Sequence, residues 1–111
     1  MIVFHLKRKY FEQIKSGIKT NEYRSLNGKY KFLEEFVDSN FNNSELAPVI
    51  RFDLGYAKIT QHDRQLFARM KTCTISCTNN IGLSLEELKD VGLDFDQDVY
   101  NVEFELIKER N

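Results

Sequence analysis

The chain has 111 residues, 41% hydrophobic and 30% charged, with nine Phe, five Tyr and no Trp. That length suits one domain with one core, and the balance of apolar to charged residues excludes a disordered or collagen-like chain. A net charge of −1 excludes a uniformly basic nucleic-acid binder, although eight basic residues against Glu12 and Glu22 leave residues 1–31 at +6 and the remainder at −7.

Residues 2–6 set Ile2, Phe4 and Leu6 against Val3 and His5, which predicts a strand with one buried face. Tyr10, Phe11 and Ile14 follow at helical spacing over 8–16, and Gly17 stands where a C-terminal cap belongs. Residues 19–25 predict a second strand with Thr20, Glu22 and Arg24 on one face. Tyr30, Leu33, Phe36 and Val37 then form a stripe, so a helix over Gly28–Asn40 capped by Asn27 is expected, with a polar turn from Asn40 to Pro48.

Further strands are expected over Val49–Tyr56 and Leu66–Ser76, separated by a polar turn at Gln61–Arg64. Ser84-Leu-Glu-Glu87 matches a capping box that opens a short helix, with Gly92 as its stop. The last strand alternates Tyr100, Val102, Phe104 and Leu106 with Asn101, Glu103 and Glu105. The resulting order, β-α-β-α-β-β-α-β, favours an α+β fold built on a curved mixed sheet or small barrel.

The N-terminal apolar run is too short for a signal peptide, and no segment has the apolar length of a membrane helix, so a cytoplasmic chain without membrane association is expected. Cys73 and Cys77 have no companion histidine nearby, so no metal site is expected, and no motif calls for a cofactor. Asp94, Asp96 and Asp98 lack the glycine and closing glutamate of a calcium loop. His5 fits a structural histidine and His62 a solvated one.

The densest chemistry lies between Gly17 and Arg24. Gly17 permits a tight turn, Lys19 offers a flexible ammonium, and Glu22 and Arg24 leave the strand on the same side. A carboxylate there accepts from an exocyclic amine, while a guanidinium grips phosphate or braces the carboxylate. A structural ion pair beside a capped helix has the same spacing. A P-loop is excluded, because the helix precedes the glycine and a strand follows it. Tyr23 and Tyr56 are candidate stacking surfaces, with edge-of-core tyrosines as the alternative, and Lys7, Lys9 and Lys15 would add phosphate attraction.

The block Tyr10–Arg24 resembles the ASCH domain of the PUA-like superfamily, whose signature G-x-K-x-x-E-x-R follows a short amphipathic helix. Gly17, Lys19, Glu22 and Arg24 fill each signature position. The resemblance implies a pseudo-barrel with a cleft lined by those residues, binding RNA or a modified nucleotide. It also implies a second possibility, an amidohydrolase acting on N-acylated cytidine with Lys19 and Glu22 as the catalytic pair. Amidohydrolase members carry threonine where this chain has Glu22, and the usual Gly-Asp turn after the signature is replaced here by Gly28–Asn40. A third possibility, a protein-interaction module, follows from the acidic residues beyond Leu33.

Overall fold

The computed structural model describes residues 1–111 except positions 43, 57 and 59; position 43 of the expected Asn40–Pro48 turn therefore lies outside the described residues. It is a mixed α+β fold with a strongly curled half-barrel sheet and few short helices. Strand β1 (Ile2–Leu6) leads into helix α1 (Arg8–Lys15) and then β2 (Asn21–Ser25). After a 3₁₀ segment at Gly28–Phe36 come β3 (Ser39–Asn40), β4 (Val49–Leu54) and the long β5 (Gln65–Cys77). Helix α2 (Leu85–Asp90) and β6 (Asp98–Leu106) complete the principal elements.

The sheet runs β1-β4-β5-β6-β2, with β3 added against β5. Among the described residues only β1 and β4 are parallel; the remaining pairs are antiparallel. The thirteen-residue β5 changes register between Met70 and Thr72 against β6, and such a bulge bends a strand and increases its twist. Phe4, Phe11, Ile14, Ile50, Phe52, Met70, Val102 and Phe104 are buried together between the sheet and α1. Their large side chains remove apolar area from water, the main gain on folding.

Residues 28–40 depart from the expected helix. The run is 3₁₀ and ends at Phe36, and Ser39–Asn40 is a strand, so the element order gains β3. The reason lies in the stripe itself. Tyr30, Leu33 and Phe36 recur every three residues, the period of a 3₁₀ helix, and they pack against the main core from that geometry. Asn27 makes no side-chain cap. By contrast, the expected capping box at Ser84 is complete: Ser84 Oγ accepts from the Glu87 N–H, and Glu87 Oε1 accepts from the Ser84 N–H. Among the described residues no helix is long and apolar enough to cross a membrane.

Candidate functional site

Among the described residues, strand β1 pairs only with β4 and β2 only with β6, so they are the two free edges of the curled sheet. A seam lies between them. Arg24 Nη2 crosses it to donate to the His5 carbonyl at 3.4 Å. Its guanidinium is held over the rings of Phe4 and Tyr30, 4.9 and 4.8 Å from their centroids, and Nη1 donates to the Tyr30 hydroxyl at 3.3 Å. The 3₁₀ segment thus has a direct part in the site, because it delivers Tyr30.

Lys19 reaches the seam by way of the helix cap. Gly17 takes a φ of +84°, which glycine adopts without a steric penalty, and donates its N–H to the Ile14 carbonyl at 3.1 Å. The Lys19 N–H then bonds the Gln13 carbonyl at 3.0 Å, turning the chain off α1 towards β2. The strand itself begins at Asn21, two residues later than expected.

An edge strand leaves backbone groups without a neighbour, and side chains here satisfy two of them. Lys19 Nζ donates to the Asn21 carbonyl, and the Tyr23 N–H donates to Glu22 Oε1 at 3.2 Å. Glu22 is only 6% exposed. Its Oε1 lies 3.9 Å from Lys19 Nζ and 3.8 Å from Arg24 Nε, distances of attraction without hydrogen bonding. Among the described residues, buried Glu22 Oε2 and Arg24 Nε have no hydrogen-bond partner.

Two chambers open on this group. The larger, about 250 Å³, lies against Lys19, Glu22 and Tyr23, with Tyr10, Gln13 and Ile18 from the α1 side and Leu83, Glu87 and Val91 from the α2 side. The smaller, about 190 Å³, adds His5, Lys7, Arg24 and Asp90. Tyr10, Lys19, Glu22, Tyr23 and Val91 belong to both. Burial pushes the Lys19 amine below its ordinary value; Glu22 opposes that shift and Arg24 reinforces it. Burial first, and then the Glu22 carboxylate, raises the Tyr23 phenol.

Of the residues singled out from sequence, Lys19, Glu22, Tyr23, Arg24 and Lys7 all line this cleft. Lys7 is engaged by Asp90 at 2.9 Å rather than turned freely to the cavity. Tyr56 lines neither chamber; it is 83% exposed and stacks on His5 with centroids 4.5 Å apart. His5 lines the smaller chamber while its Nδ1 meets the Gly55 carbonyl at 2.9 Å. Tyr10, Glu87, Asp90 and Val91 were not expected at a site. Tyr10 read as core and Glu87 as a cap, and both are also that. Among the described residues no group of three or more His, Cys, Asp or Glu side chains is placed to hold a metal ion.

No family model, curated protein or solved structure matches the chain.

Proposed function

We propose that the seam cleft binds a nucleobase, presented by RNA or by a modified nucleoside or nucleotide, with Glu22 as the acceptor for N–H groups on the base edge. The observation that carries this reading is the state of Glu22. It is a buried carboxylate at the junction of two cavities, flanked by two cations, with one oxygen unpartnered. An unmet buried acceptor is costly, so a ligand that supplies N–H donors gains the energy the fold forgoes. Tyr10 and Tyr23 on the chamber walls offer apolar surface for a planar ring. The match of Gly17, Lys19, Glu22 and Arg24 to the ASCH signature supports the same reading.

The cations of the cleft are largely committed. Lys7 is held by Asp90, Lys19 by the Asn21 carbonyl and Glu22, and Arg24 by His5 and two rings. Affinity therefore comes mainly from the base, and phosphate contacts fall to lysines outside the cleft. Calorimetric titration with cytidine, guanosine and a short single-stranded RNA, for wild type and Glu22→Gln, tests this. At least one of these should bind, with affinity falling about tenfold or more in the variant, the scale of one lost base-edge contact. Absence of binding by all three at millimolar concentration would refute the reading.

A second reading, hydrolysis of an N-acylated cytidine, is favoured by one observation: the Lys19 amine is lowered by burial and stands 3.9 Å from Glu22. In that chemistry Glu22 takes a proton from water as its oxygen adds to the acyl carbon. As the acyl C–N bond then breaks, protonated Lys19 protonates the departing exocyclic amine, leaving a carboxylic acid and cytidine. Turnover of N-acetylcytidine by wild type and its loss in Lys19→Met would establish it; no release of cytidine would eliminate it.

A further inference from the structure

Helix α2 roofs the cleft yet belongs to a different part of the core. Its one buried side chain, Leu88, sits in a small cluster with Leu93 and Val99, against which Tyr23, Ile81 and Leu83 pack. Six residues of helix are too few to be stable without tertiary support. Among the described residues, the side-chain hydrogen bonds that join α2 to the rest of the molecule converge on Asp90. Its Oδ2 accepts from the Tyr10 hydroxyl at 2.6 Å, and its Oδ1 and backbone carbonyl both accept from Lys7 Nζ at 2.9 Å.

The roof is also bracketed by two glycine turns. Gly82 and Gly92 both have a φ of +76°, and a Cβ at either position would meet nothing within 4 Å. Neither glycine is thus required by close packing; each supplies a left-handed turn at one end of the segment that carries Leu83, Glu87 and Val91 over the larger chamber.

We infer that residues 83–91 form a hinged lid over the cleft, turning about Gly82 and Gly92, and that Asp90 is its latch, closing onto Tyr10 and Lys7. Closed, the lid brings Val91 over the junction where Glu22 lies and separates that carboxylate from water; open, it exposes both chambers along one side. Asp90 acts through the lid and is a positioning residue. The Asp90 bond, which adds to burial in raising the Tyr10 phenol to about 12, is the contact that would be lost on opening. This inference concerns access to the cleft and holds whatever ligand occupies it.

Hydrogen exchange read by mass spectrometry, with graded denaturant and no ligand, tests it. In wild type, α2 amides should exchange through an opening that depends little on denaturant, whereas β5 and β6 amides should exchange through global unfolding. Asp90→Asn should speed α2 exchange about tenfold while that weak denaturant dependence persists, and should bring the Tyr10 phenol down from about 12 in an ultraviolet titration. Tyr10→Phe should speed α2 exchange in the same sense. If wild-type α2 amides share the opening energy and denaturant dependence of β5 and β6, no lid exists. If Asp90→Asn leaves α2 exchange unchanged, Asp90 is not the latch.

Discussion

Two buried carboxylates in this protein stand two residues from an arginine on the same strand, and their fates differ. On β4, Arg51 and Asp53 form a bidentate pair, with Nε and Nη2 donating at 2.8 and 2.9 Å to a carboxylate that is 1% exposed. On β2, Glu22 and Arg24 have the same spacing, yet Arg24 Nε stays 3.8 Å from Glu22 and, among the described residues, one carboxylate oxygen is unpartnered. The cause is position in the sheet. Strand β4 lies inside it, flanked by β1 and β5, whereas β2 is an edge whose arginine is drawn across the seam to His5, Phe4 and Tyr30. A satisfied pair holds the fold together; a pair kept apart leaves bonding capacity for a third group.

The sharpest way to test that contrast is to remove each acid. Asp53→Ala leaves Arg51 beside an emptied site and should cost about 3–5 kcal/mol in urea-induced unfolding, the range for breaking a buried pair. A loss under about 1 kcal/mol would show that the bidentate pair is not a structural anchor. Arg24→Lys comes next: an ammonium does not reproduce the planar contact with two rings together with the reach to His5, so a loss of about 1–2 kcal/mol is expected by the same assay.

Tyr10→Phe should cost about 1 kcal/mol near neutral pH through the bond to Asp90. It also carries a pH signature. The phenol is raised in the folded state from 10.0 to about 12, so its contribution is complete below pH 10 and is lost as pH rises towards 12. Wild type should therefore lose stability across that window more steeply than Tyr10→Phe, measured by thermal melts at stepped pH. The smallest effect belongs to Glu22→Gln, which should change stability by less than about 1 kcal/mol because the acid it neutralises is incompletely bonded. A loss comparable to that of Asp53→Ala would erase the distinction between the two carboxylates.

Elements with an unambiguous period were legible in the sequence. The alternation in β1 and β6, the apolar face of α1, its stop at Gly17 and the capping box of α2 all follow from local chemistry. Residues 28–36 were not, because a stripe at positions 30, 33 and 36 suits two helical periods and only packing selects the tighter one. At the cleft, Lys19, Glu22 and Arg24 could be grouped because they are close along the chain. Their use in satisfying a free strand edge could not be read, since it requires knowing that β2 is at the edge. The Tyr10–Asp90 bond joins residues eighty positions apart and has no local signal. Gly55 beside Tyr56 places a turn but does not say which way the ring faces.

The pairing of β2 with β6 has a bearing on how the protein is made. Glu22 lies opposite Val102, and Arg24 opposite Tyr100, so the strand that carries the cleft residues waits for β6 before it is paired. A chain emerging from the ribosome presents Gly17–Arg24 before β6, with the Glu22 carboxylate still in water and no wall behind it. Lys19, Glu22 and Arg24 are synthesised before the strand that pairs with theirs, and until β6 is in place the growing chain has the motif without the cleft.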